Sequence, residues 1–313
     1  MDDHTEGCPS ISLERLTSLC KNEVFISDKI LSSDLEKNRF SIIHSVEKAH
    51  IAQVETRSSP RSVRPTPSHE TPLVLVTRSN YDLEPMSSFL ATKTTKQTFV
   101  VVLLTMSLHI FNTIKQLSSI GLAHGNLTVE TIGIAPSGRL PVLGDFSSSF
   151  HTASLGSSLV SDLHLADSGS FAWPPERHLL RLLLERDASE VSDEDIRAAS
   201  SSFADSASIM LLFTEEFRSN YSFFVEESLS KWKGVNADEF VSHTRRAAAT
   251  WDSFNISVSL LSMVGYGFTQ SQYCNRPMIA YAQFLTRNIH PYPARRPTVT
   301  EACDELNAIL TGV

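Results

Sequence analysis

The chain has 313 residues, 41% hydrophobic and 20% charged, with 12 glycines and 14 prolines, which is enough apolar material for a sizeable core as one two-lobed unit or two small domains. Twenty-seven Lys and Arg against 35 Asp and Glu leave a formal charge of -8, which argues against binding nucleic acid or an anionic membrane, since both need a clustered cationic excess. The four cysteines, Cys8, Cys20, Cys274 and Cys303, show no Cys-x-x-Cys spacing, so zinc is not expected, while disulfides and separate thiols both stay open.

Met1 is not followed by a basic stretch and an apolar segment, so a secretory leader is expected to be absent or already removed. Ile11 to Leu19 reads as a short helix, with Leu13, Leu16 and Leu19 on one face. Val24, Phe25 and Ile26 form a β-prone run ending near Lys29. Asp34 to Ala49 is predicted to be an amphipathic helix, opened by a Ser-Ser-Asp cap and carrying Leu35, Ile42, Ile43 and Val46. Strands are expected at Ile51 to Val54 and Leu73 to Val76. The loop between them is rich in Pro, Ser and Arg; its Arg57, Arg61 and Arg64 read as solvated charges rather than a site for an acidic partner. Gly7 is the only glycine before position 100, so nothing ahead of Val24 can build a glycine-rich hairpin of the kind that covers nucleotide phosphates.

Asn80 to Leu90 reads as a connection and a short helix, and Thr95 to Ser119 as a long apolar one. Its continuous run, Phe99 to Leu104 and on through Met106, Leu108, Ile110 and Phe111, contains His109 and is read as too short to span a bilayer. Gly121 to Phe150 then gives a short apolar element, a polar turn and a hairpin of two strands that ends on Asp145. Further on, Phe171-Ala172-Trp173-Pro174-Pro175-Glu176 precedes four helical patterns, at His178 to Glu185, Asp193 to Ala199, Ala204 to Phe217 and Ser222 to Trp232. The acidic run from Ser192 to Asp195 reads as a helix cap. A helix from Asp252 through Gly265 is preferred over an alternative start at Asp205, and Arg295-Arg296-Pro297-Thr298 introduces a last helix, Val299 to Leu310. Sequons stand at Asn126, Asn220 and Asn255; Asn126 and Asn255 fall in elements expected to be buried, which leaves Asn220 as the realistic acceptor in a secreted chain, while chance occurrence is the plainer reading of all three.

The order and spacing of these pieces resemble the protein kinases. His124-Gly125-Asn126-Leu127-Thr128-Val129-Glu130-Thr131 is similar to their catalytic loop, and Asp145-Phe146-Ser147 to their magnesium loop. The resemblance implies an α+β, two-lobed protein-kinase-like fold. Its small lobe, residues 1–77, lacks the Gly-rich β-hairpin, and its large helical lobe, 78–313, carries an inserted helical segment at about 177–251. In the family the loop aspartate takes the hydroxyl proton and the asparagine holds a second magnesium ion. Here Asn126 stands for the base, Thr128 for the phosphate-steadying lysine and Thr131 for the metal-holding asparagine, so no catalytic residue is expected. Asp145 remains as a metal-ligand vestige. If Val24 to Ile26 is the ATP-anchoring strand, its lysine becomes Ser27, or Lys29 after a two-residue slip, with Glu47 as the possible pairing partner; two solvated charges is the plainer reading. His124, Phe146, Pro175, Glu176, Asp252 and Arg296 match structural motifs, with Glu176 expected to pair with Arg296.

Within the kinases, Gly121-Leu122 with His124-Gly125, Ser137-Gly138-Arg139-Leu140 and Leu143-Gly144-Asp145 resemble the secreted rhoptry-type kinases and pseudokinases of apicomplexan parasites. The missing glycine hairpin points to their with-no-Gly-loop branch, and the doubly degenerate loop is similar to the bradyzoite pseudokinases of that branch. This resemblance implies a catalytically inactive, secreted scaffold or regulatory protein-binding module in the parasitophorous vacuole or cyst wall. Its partners would be proteins and not nucleic acid, it would have no transmembrane segment or metal, and ATP with magnesium would bind weakly or not at all. A weakly active serine/threonine kinase and a nucleotide-sensing pseudokinase are the alternatives.

Overall fold

The helix expected up to Leu19 continues through Val24 to Ile26, where a strand was expected. In the computed structural model, which describes residues 13–49, 73–78, 82–94, 98–136, 140–155, 173–206, 213–269 and 276–312, α1 runs from Leu13 to Leu31 and takes in Val24, Phe25 and Ile26. Three β-prone residues are overruled by period: Glu23, Ile26, Ser27 and Ile30 are all buried, the i, i+3, i+4, i+7 spacing of one helical face. Phe25, between them, points outward and is 52% exposed.

The helix predicted from Asp34 to Ala49 is also absent. A 3-10 turn at Lys37–Arg39 leads into strand β1, Ile43–Ala49. The Ser-Ser-Asp signal closes α1 instead of opening a new helix: the Ser32 and Ser33 hydroxyls donate to the carbonyls of Lys29 and Ile30, satisfying acceptors that a helix end leaves free. β1 pairs antiparallel with β2, Leu73–Arg78, from Ala49 opposite Leu73 to Ser45 opposite Thr77, with a shift between Ile43 and Ser45. The expected strand at Ile51 to Val54, the arginines 57, 61 and 64, Asn80, Cys8 and Cys274 lie outside the described residues.

A two-residue strand, β3 (Glu84–Pro85), and α2 (Met86–Lys93) lead to α3 (Phe99–Ser119). α3 has 21 residues and is apolar enough, by length and composition, to cross a bilayer, which corrects the reading that it is too short. One face of it packs on protein: Leu103, Leu104, Ile110, Phe111 and Ile114 are buried, and it contacts α8 (Trp251–Thr269), α9 (Arg276–Asn288) and α10 (Val299–Thr311). The Ser107 and Tyr281 hydroxyls meet at 2.5 Å inside this contact. β4 (Leu122–Ala123) pairs with β7 (Phe150–His151), and β5 (Ile132–Ile134) lies between β3 and β6 (Pro141–Leu143).

Four helices occupy the stretch before α8: α4 (Pro175–Glu185), α5 (Asp193–Ser206), α6 (Glu215–Ser230) and α7 (Ala237–Ala247). The pattern read across Ala204 to Phe217 is divided between α5 and α6. Two helices, α7 and α9, have no counterpart in the sequence reading. α7 is nonetheless signalled by Asn236, whose side chain accepts from the Asp238 N–H, followed by buried Ala237, Phe240, Val241 and Thr244.

Two histidines fastened into this framework make it sensitive to acid. His178 lies between α4 and α5, its Nδ1 3.0 Å from Ser202 Oγ and its ring edge-on to Phe203; burial, then the nearby Arg177 and Arg181, push it down to about 3. His109 on α3 faces the Arg39 guanidinium at 3.3 Å, and burial followed by that cation lowers it to about 4. Both groups are depressed, so the unfolded chain binds more protons than the native one between the native value and the ordinary 6.5, and stability falls as pH drops through that window. From pH 7 to pH 5, His178 alone should remove about 2 kcal/mol. Urea midpoints measured across this range are expected to decline, and His178→Gln to flatten the slope.

Candidate functional site

The loop from His124 to Thr131 is held in place by groups far from it in sequence. Asp252, in the first turn of α8, is 3% exposed; its Oδ2 accepts from the His124 backbone N–H at 2.7 Å and its Oδ1 from the Gly125 N–H at 2.8 Å. A buried carboxylate taking two successive backbone donors fixes both peptide planes. The His124 ring stands 2.8 Å by Nε2 from the Gly144 carbonyl, so that nitrogen carries the proton. The same ring packs on Phe146 at 5.1 Å, and Phe146 on Phe40 at 6.2 Å. Phe40, Phe146, His124 and Asp252 thus form one buried column from the approach to β1 down to α8.

The turn that follows β6 is tied down from the other side. Asn22 on α1 donates its amide to the carbonyls of Ser147 and Ser149, both at 2.8 Å. Asp145, with φ 58 and ψ 64, adopts the left-handed conformation that Asp tolerates better than most residues. Its carboxylate is exposed and accepts from the Ser147 hydroxyl at 2.6 Å. Gly125 has φ +77, and a Cβ there would lie 2.4 Å from the Ser148 carbonyl oxygen.

The chemistry available in this setting is slight. Asn126 is 7% exposed, and its Oδ1 has no hydrogen-bond partner among the described residues; an amide at that place is no base at neutral pH. The Thr131 hydroxyl accepts from the Thr128 N–H at 3.0 Å and lies 3.0 Å from the Thr128 carbonyl, so it closes the loop on itself. Thr128 Oγ1 accepts from the Glu130 N–H. No group of three His, Cys, Asp or Glu side chains gathers among the described residues.

The expected placements of Lys29 and Glu47 need correction. Lys29 sits on a helix, not a strand, and its Nζ lies 5.5 Å from the centre of the Phe25 ring on the exposed side. Ser27 is fully buried and accepts from the Ile43 N–H at 3.0 Å. Glu47 belongs to β1, opposite Leu75, and not to a helix. The helix against the turn after β6 is α1, and the carboxylate it buries is Glu23, 5% exposed. The period linking Glu23 to Ile26, Ser27 and Ile30 was the signal available for it.

Glu176 and Arg296, 120 residues apart, do meet. Arg296 Nη1 donates to Glu176 Oε1 at 2.6 Å and Nη2 to Oε2 at 2.9 Å, with side chains 0% and 4% exposed. Trp251 Nε1 adds a third donor to Oε1 at 2.9 Å, and Arg296 Nε reaches the His290 carbonyl at 2.8 Å. Pro175 provides the first turn of α4, where its missing N–H costs nothing.

Arg177, unremarked in the sequence, sits beside this pair. It is 1% exposed, its guanidinium 3.9 Å from the Trp173 ring centre and 5.3 Å from that of Trp251. It donates to the Gly125 carbonyl at 2.5 Å, which Asn255 also approaches at 3.4 Å. Burial pushes Arg177 down to about 9, opposed by the charge of Asp252.

No protein-family model matches the chain, and no curated protein matches it. The geometry around Asp252 and Arg177 therefore has to speak through its own energetics. Removing one member of the Glu176–Arg296 pair strands the other in the interior, so Glu176→Ala and Arg296→Ala should each cost about 3–5 kcal/mol. The double variant should cost less than the sum of the two, as measured by denaturant titration. Gly125→Ala meets both the positive φ and the Ser148 carbonyl, and should lose more than about 1 kcal/mol on the same measurement.

Proposed function

We propose that this chain is a catalytically inactive pseudokinase that acts as a secreted scaffold or regulatory protein-binding module. Its fold is then kinase-like and two-lobed, with a small lobe that lacks the glycine-rich hairpin. The observation that carries the reading is the Asp252 carboxylate clasping the His124 and Gly125 N–H groups above a buried Asn126. The loop is kept in a fixed form while the position of the proton acceptor is filled by an amide. Supporting it are the His124–Phe146 contact, the buried Glu176–Arg296 pair and the hairpin that delivers Asp145. The narrower likeness to the with-no-Gly-loop rhoptry branch, with its vacuole or cyst-wall location and protein partners, rests on the sequence resemblance alone.

Phosphoryl transfer needs phosphates held by metal and backbone donors before a base is of use. A lone exposed Asp145 and the threonines at 128 and 131 offer little of this. Asp145 nevertheless leaves one carboxylate open to a cation, which favours nucleotide sensing without transfer as the second reading.

Two measurements on the purified chain test the proposal. Thermal shift with millimolar ATP, with and without magnesium or manganese, is expected to show no clear rise; a ligand at about 100 times its Kd would add about 2.7 kcal/mol. Radiolabelled transfer to a generic acceptor protein should be at the heat-killed background for the native chain, for Asn126→Asp and for Asn126→Asp with Thr131→Asn, because the missing parts act as a unit. Transfer by the native chain would overturn the inactive reading. A melting rise without transfer would select nucleotide sensing.

A further inference from the structure

The three sequons fall in very different surroundings. Asn126 and Asn255 are 7% and 5% exposed, each wedged against the loop that Asp252 holds. Asn220, in Asn220-Tyr221-Ser222, lies on the exposed face of α6, with Tyr221 turned inward and its hydroxyl donating to the Ile289 carbonyl. One turn further along the helix, Phe223 and Phe224 are 63% and 45% exposed, with ring centres 5.8 Å apart. Among the described residues no other two exposed large apolar side chains are sequence neighbours. Positions three and four residues on are the surface neighbours of a helical side chain, so a group carried by Asn220 is within reach of these two rings.

We infer that Asn220 is an N-glycosylation site and that the first sugars of its glycan cover Phe223 and Phe224. The donor is a polyisoprenyl-diphosphate-linked oligosaccharide. The Asn220 side-chain nitrogen forms a bond to C1 of the reducing-end N-acetylglucosamine as the C1–O bond to phosphate breaks. The amide gives up one proton, and the polyisoprenyl diphosphate leaves with the electron pair. The apolar faces of pyranose rings stack on aromatic rings, which accounts for two phenylalanines left facing outward on a helix rich in Glu and Ser. A glycan on Asn126 or Asn255 would have no room in the folded chain.

This inference rests on the secreted part of the functional reading, and the experiment separates the two. The full chain is expressed behind a secretory leader in a eukaryotic host, with an unrelated control sequon appended after Val313, and peptides of the protein recovered from the medium are mapped by mass spectrometry. Glycan on Asn220 and the control, with Asn126 and Asn255 bare, is the expected result, and Asn220→Gln should remove one glycan from the intact mass. Enzymatic deglycosylation should raise the fluorescence of a hydrophobic-surface dye, a rise that Phe223→Ser with Phe224→Ser should abolish. A bare Asn220 beside a modified control, or occupancy of Asn126 or Asn255 in folded protein, would overturn the assignment, and unchanged dye fluorescence would overturn the covering of the rings. A site modified in this host but bare in protein from its native cells would leave the site standing and count against secretion.

Discussion

The fold depends on a small set of buried charges at the N-terminal end of α8. Asp252 takes two backbone donors from the loop, Glu176 takes three donors from Arg296 and Trp251, and Arg177 lies between two indole rings with its guanidinium on the Gly125 carbonyl. Two carboxylates and two guanidiniums are taken out of water together. Each of these ions alone would cost several kcal/mol to bury, so each is tolerable only while its partners stay in place. What such an arrangement secures is position: α4, α8, the approach to α10 and the loop at His124 must all arrive in one geometry for the charges to be met.

A second consequence lies in what the loop has kept and what it has lost. The contacts that give it shape use backbone N–H groups, a histidine ring and a phenylalanine, and all are present. The positions whose side chains would do chemistry under the kinase reading hold Asn126, Thr128 and Thr131, two of which are turned to hydrogen bonds inside the loop. Under the kinase reading, shape and reactivity are thus carried by different atoms, and one can be lost without the other.

The same division explains how far the sequence could be read. α3, α8 and α10 were legible because their apolar periods are long, and Thr298 with Glu301 forms a reciprocal cap. Glu176 and Arg296 were legible from short motifs around prolines. The stretch from Val24 to Ala49 was misread where two local signals misled: Val24, Phe25 and Ile26 are β-prone within a helical period, and Ser32 and Ser33 cap the end of a helix as readily as the start of one. Ile42 and Ile43 then entered the wrong element. Arg177 could not be seen at all, because its site is assembled from Trp173, Trp251 and Gly125, and only the fold brings these together.

Asn22, which spans the carbonyls of Ser147 and Ser149, links the turn after β6 to the helix above it. With Asp252 gripping the loop from below, the segment between His124 and Phe150 is fastened at both ends before anything binds. The backbone at these anchor points is already set, so little conformational freedom remains there to be lost on association.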